Sequence, residues 1–205
     1  SPAPSSPFTM HGARKEFGDI KDPLAAQGEK ETSWIGEADW ELKLLIRKDS
    51  LPKSKNYTLI LDGLDTYATV RLDDSLMLQT DNMFRDYKLK LGQFEKAEKT
   101  LNIIFENPEK KAKEKRDVLG YDLPSPSDAD SEKTASFTRK AGFQFGWDWG
   151  PRRLSIGPWK PVKVICWDDA RMVSFRTTQD TFLDNRMNGT GFFTVEAAKA
   201  GMAEL

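Results

Sequence analysis

Short runs in which apolar and polar side chains alternate recur from Trp40 onward, and they constrain the fold of this 205-residue chain more than any other feature. Trp40-Glu41-Leu42-Lys43-Leu44 and Thr66 to Leu72 carry the two-residue period of a half-buried strand, and Tyr57 to Leu61 carries it more loosely. Asp73-Asp74-Ser75 supplies turn chemistry before Leu76 to Gln79, so a hairpin is expected there. Tyr87 to Leu91 and Thr100 to Glu106 continue the series, with Leu101, Ile103 and Phe105 on one face. Val162 to Trp167 alternates Val162, Val164 and Cys166 against Lys163, Ile165 and Trp167. Several short strands at this spacing predict an all-β chain folded as a sandwich.

Residue counts narrow the chemistry. Cys166 is the single cysteine and His11 the single histidine, which argues against an internal disulfide, a zinc site or a Ser-His-Asp triad. No cofactor or metal is expected. The 31 Lys and Arg are balanced by 32 Asp and Glu, so no basic surplus asks for nucleic acid or an anionic membrane. No apolar stretch approaches membrane-spanning length. The opening Ser1-Pro2-Ala3-Pro4-Ser5-Ser6-Pro7 lacks the basic flank and apolar run of a signal peptide, which leaves the compartment open with the cytoplasm favoured. The sequons Asn56-Tyr57-Thr58 and Asn188-Gly189-Thr190 matter only in a secretory setting.

Three segments depart from the strand pattern. Residues 1–33 are rich in Pro, Gly and charge and read as an irregular arm with a short helix around Arg14 to Phe17. Residues 34–168 form the main domain, interrupted at 107–139 by a helix and a loop. Glu106 precedes Lys110, and Glu109 precedes Lys113, by four residues, which predicts a solvated helix over Pro108 to Arg116 rather than a nucleic-acid patch. Leu123-Pro124-Ser125-Pro126-Ser127-Asp128 has little apolar content and is expected to be a connector with no place in the core. Residues 169–205, with β character at Met172 to Thr177 and Gly191 to Glu196, read as the truncated start of a second β unit.

Phe145-Gly146-Trp147-Asp148-Trp149-Gly150-Pro151 is the densest chemical feature. Indole faces pack against the C–H face of a sugar ring, and an ionised carboxylate accepts hydrogen bonds from vicinal hydroxyls. Two core tryptophans and a turn-capping Asp148 would give the same residues, so composition leaves both readings open.

That segment, with Gly157-Pro158-Trp159-Lys160-Pro161-Val162, Gly63-Leu64-Asp65-Thr66-Tyr67-Ala68 and Thr80-Asp81-Asn82-Met83-Phe84-Arg85, resembles the amino-terminal domain of β-mannosidases of glycoside hydrolase family 2. Trp34 to Trp40 is similar to that family's first core strand region. The resemblance implies a galactose-binding-like jelly roll, then an immunoglobulin-like sandwich, then a (β/α)8 barrel carrying two catalytic glutamates. No such barrel fits in these residues, so no catalytic residue is expected here and the isolated chain should not hydrolyse a glycoside. The resemblance also implies that this domain reaches the barrel's pocket and touches the terminal mannose of a β-mannoside. Asp148 matches the carboxylate that grips sugar hydroxyls, with Trp147 and Trp149 as wall residues, although core packing suits one of them. Asn82 falls where relatives place an amide beside the same sugar, with turn stabilisation as the competing role. Arg139 is a candidate to orient Asp148 by a bidentate pair. Asp65 reads as a structural cap and Cys166 as an inert core thiol. The implied partners are the β-mannoside and the catalytic barrel domain. The rival reading is a free-standing, lectin-like carbohydrate-binding module.

Overall fold

A computed structural model describes residues 7–25, 27–126 and 128–201. Two antiparallel sheets form the body. The first contains, in spatial order, β1 (Trp40–Arg47), β7 (Glu98–Phe105), β4 (Tyr67–Leu72) and β5 (Ser75–Asp81). The second contains β6 (Tyr87–Lys90), β2 (Asn56–Leu61) and β9 (Val162–Trp167). The expected period of two sets the register: Leu42 pairs with Ile103 and Val70 with the same residue from the other side, so inward positions line up across the sheet. Leu101, Ile103 and Phe105 are fully buried, and with Leu42, Leu59, Leu61 and Val70 they make one core between the sheets. Val162, Val164 and Cys166 pack against it from the edge strand β9. Cys166 is half-buried rather than enclosed, and burial pushes its thiol pKa up. A short antiparallel pair, β3 (Leu64–Asp65) with β8 (Gly157–Pro158), lies outside both sheets.

The arm before β1 is more ordered than its composition suggests. It forms α1 (Met10–Glu16), α2 (Gly28–Thr32) and α3 (Trp34–Glu37). Thr9 caps α1 by accepting from Gly12 N–H at 3.2 Å, which starts the helix four residues before the expected Arg14. Met10 and Ala13 then face inward, and Met10 N–H donates to Ile156 at 2.8 Å. The other two helices have five and four residues, too short to show a helical period.

The insertion begins with α4 (Pro108–Leu119), capped by Asn107, whose side chain accepts from Glu109 and Lys110 N–H. Gly120 ends it in the left-handed region at φ 76°. Glu109 pairs with Lys113 as expected, but Glu106 precedes the helix and reaches Lys111 instead, at 2.9 Å. The connector that follows is a correction to the expectation. Ser127 lies outside the described residues, whereas Ser125 and Asp128 are buried. Asp128 accepts from the backbone N–H of Asp130 and Ala135, each at 3.0 Å, so polar partners rather than apolar content hold the segment inside.

Beyond β9 the chain runs into a long hairpin, β10 (Ala170–Leu183) with β11 (Arg186–Ala197). Asp184 and Asn185 both take positive φ, the requirement of a two-residue hairpin turn. Phe175 and Phe193 stack at 4.6 Å between centroids, yet both remain about half exposed because no second sheet covers them among the described residues.

Candidate functional site

The segment from Phe145 to Arg152 leaves the sandwich as a tight turn. Trp147 N–H donates to Gly150 and Gly150 N–H returns to Trp147, at 3.0 and 3.3 Å. Gly146 makes the entry possible: its φ is 84°, and a Cβ there would sit 3.0 Å from the Ala129 Cβ and 3.1 Å from that of Arg152. Trp147 is 50% and Trp149 84% exposed, so neither packs in the core, contrary to the role expected for one of them. Asp148 is exposed and makes no side-chain hydrogen bond or ion pair with the described residues, so it does not cap the turn.

The turn separates two hollows. One, of about 720 Å3, is walled by Met83, Phe84, Phe143, Trp147, Trp149 and Trp159. The other, of about 500 Å3, has the carboxylates Glu29 and Asp148 beside the same two indoles, and Arg153 lines both hollows. Trp159 is held in place by its indole N–H to the Met83 carbonyl at 2.9 Å, over Gly63, whose missing Cβ would lie 2.6 Å from that nitrogen. Phe84, Phe143 and Trp159 do not stand out as site residues in the sequence pattern, since an aromatic beside a strand suits a core equally well. Phe84 and Trp159 fall within the segments that carry the family resemblance, whereas Phe143 lies just outside them.

Asn82 and Arg139 meet each other rather than Asp148. Their backbones form an isolated parallel bridge, and Met83 N–H donates to the Arg139 carbonyl at 3.1 Å. Asn82 accepts from Phe84 N–H at 2.9 Å, a turn-stabilising bond. The Arg139 side chain is exposed and forms no pair with Asp148, which overturns the orienting role expected of it. Both residues flank the apolar hollow through their neighbours Met83 and Ala141, and neither lines it.

Beneath the hollow lies a buried polar cluster. Asp65, with no exposed surface, accepts from Lys140 Nζ at 2.6 Å, Ser155 Oγ at 2.5 Å, Thr66 Oγ1 at 2.5 Å and Gln144 Nε2 at 3.3 Å. Burial lowers the Lys140 pKa, and the Asp65 charge opposes that shift. Gln144 and Ser155 are the members that reach the hollow's lining, with their hydrogen-bonding capacity turned largely toward Asp65 and each other. His11 is also buried. Its pKa is pushed down to about 4, first by burial and then by the Arg153 guanidinium, so it is neutral at pH 7. Among the described residues no group of three or more His, Cys, Asp or Glu side chains is arranged to hold a metal ion.

Residues 1–160 match a protein family described as the glycosyl hydrolase 2 galactose-binding domain-like family. Beta-mannosidase B of Aspergillus clavatus is 32% identical over 165 residues, 80% of this chain and 19% of that protein. The enzyme of the same name from Aspergillus fumigatus is 30% identical over 203 residues, 98% of this chain and 24% of that protein. The crystal structure of a beta-D-mannosidase from Dictyoglomus thermophilum superposes with a TM-score of 0.78 at 26% identity, covering 95% of this chain and 24% of that one. An exo-chitosanase of Amycolatopsis orientalis shares the fold at a TM-score of 0.56 and 13% identity, over 86% of this chain and 19% of its own. The chain therefore spans about a quarter or less of the relatives it matches.

Proposed function

The chain belongs to the glycosyl hydrolase 2 galactose-binding domain-like family, and from that premise we propose that it is the non-catalytic amino-terminal portion of a retaining β-mannosidase, contributing contacts to the terminal mannose of β-mannosides. One observation supports the reading: an exposed carboxylate without partners among the described residues, Asp148, stands between two exposed indoles at the junction of an apolar and a charged hollow. Apolar walls with a few convergent polar groups suit a sugar ring, which offers C–H faces and hydroxyl edges. Trp147 and Trp149 act as walls, Asp148 accepts from hydroxyls, and Asn82 and Arg139 extend the polar rim beyond Met83. The β10–β11 hairpin, with Phe175 and Phe193 uncovered, is the opening of an immunoglobulin-like unit in the same reading.

Protons are handled elsewhere. Retaining hydrolysis needs two carboxyl groups about 5 Å apart, one acid and one nucleophile. In this reading the acid and the nucleophile lie on a catalytic barrel domain, as the family resemblance implies, and the isolated chain is inactive on an aryl β-mannoside. The testing experiment is steady-state kinetics of the full-length enzyme with Asp148→Asn. A fall in kcat/KM with little change in melting temperature supports sugar contact, and a lower melting temperature with normal kcat/KM refutes it. Measurable binding of mannose by the isolated chain would favour the lectin-like alternative.

A further inference from the structure

We propose that Arg152 is a positioning residue for the Trp147–Gly150 turn, clamped by carboxylates of the inserted segment, so that the insertion governs sugar affinity without touching sugar. The inference rests on the reading of Asp148 as a sugar contact. Arg152 leaves the turn one residue after Pro151, and its own backbone N–H donates to Glu29 Oε1 at 2.8 Å. Its side chain is only 17% exposed and lies between two carboxylates of the insertion: Asp128, its side chain fully buried, accepts from Nε at 3.5 Å, and Glu109 of α4, 13% exposed, stands 3.4 Å from Nη2 as an ion pair without a hydrogen bond. Asp128 is itself fixed by two backbone N–H groups, which makes it a rigid anchor rather than a mobile surface partner.

The insertion grips the other stem of the turn as well. Ala129 N–H donates to the Phe145 carbonyl at 3.0 Å, and the Ala129 Cβ occupies the space that a side chain at Gly146 would need. The residues before and after Trp147–Gly150 are thus both held by a segment that supplies, through Ala129, only one wall of the charged hollow. A buried ion pair adds little net stability, because desolvation offsets attraction, but it defines geometry sharply. Geometry is what a carboxylate on a four-residue turn lacks, since Asp148 has no side-chain partner among the described residues. The planar Arg152 guanidinium reaches both carboxylates from one rigid group, whereas a lysine that bridges two carboxylates, as Lys111 and Lys113 do here, does so through a point charge on a flexible stem.

The test is a double-mutant cycle in the full-length enzyme, reading kcat and KM separately for an aryl β-mannoside. Arg152→Met should lower kcat/KM about tenfold, mainly through KM, while Asp148 is present, and less than about twofold once Asp148→Asn has removed the group being positioned. Arg152→Lys should fall between wild type and Arg152→Met, and Glu109→Gln should act in the same direction about threefold. If Arg152→Met does not fold, Glu109→Gln carries the cycle. Equal losses in both Asp148 backgrounds, or no loss in either, overturn the inference while leaving the sugar-contact reading intact. A silent Asp148→Asn removes that reading, and the inference with it.

Discussion

Asp65 and Asp148 show how differently one residue type is used in this chain. Asp65 ends β3 with no exposed surface and four side-chain partners, one of them the equally buried Lys140. Asp148 stands exposed at the tip of a turn, with none among the described residues. A carboxylate removed from water must be compensated by its surroundings, so every group around Asp65 is committed to the fold. A carboxylate left in water imposes nothing on the fold, and its hydrogen-bonding capacity stays available to a ligand. Substitution should therefore separate the two regions cleanly, one in stability and the other in catalysis.

The largest effect is expected in the buried region. Lys140→Ala strands a carboxylate inside the protein and should cost about 3–5 kcal/mol in urea unfolding. A loss of less than about 1 kcal/mol would mean that water reaches Asp65 and that the contrast with Asp148 is overstated. Gly146→Ala comes next. A side chain at φ 84° that also meets Ala129 and Arg152 should cost about 1–3 kcal/mol, and the crystal structure of the variant should show the turn displaced. An unaltered turn would show that glycine is not what admits it.

In the exposed region, Asp148→Asn should leave the melting temperature nearly unchanged and lower kcat/KM for β-mannosides at least tenfold, equivalent to about 1.4 kcal/mol of transition-state stabilisation. Equal damage to stability at Asp148 and Asp65 would erase the distinction between them. A pH dependence is expected at His11, buried like Asp65 but without a charged partner that favours its ionised form. Its pKa lies near 4 in the folded protein against 6.5 ordinarily, so between these values the unfolded chain holds a proton that the folded chain does not. Stability should fall as the pH drops from about 6.5 toward 4, and His11→Gln should flatten that slope between pH 7 and 5. An unchanged slope would assign the pH dependence to the carboxylates.

What the sequence determined by itself was whatever repeats at short range. The alternation at Trp40 to Leu44, Thr66 to Leu72 and Val162 to Trp167 specifies strands and their inward faces, because a one-residue shift in register would expose every apolar side chain. The i,i+4 spacing of Glu109 and Lys113 marks α4 for the same local reason. The resemblance carried by the Trp-Asp-Trp segment and its companions pointed to the family without any coordinates. Tertiary structure decided the rest, since it depends on residues far apart in the chain. Lys140 is an ordinary surface cation in sequence until the fold sets it on Asp65, 75 residues earlier. Asp128 sits in a polar, proline-rich loop and is buried only because Asp130, Ala135 and Arg152 converge on it. Trp147 and Trp149 have the composition of a core, and only the fold sets both indoles out on an exposed turn. Burial of polar groups and exposure of aromatic ones run against residue type, so they can be read only where distant partners, or their absence, are known.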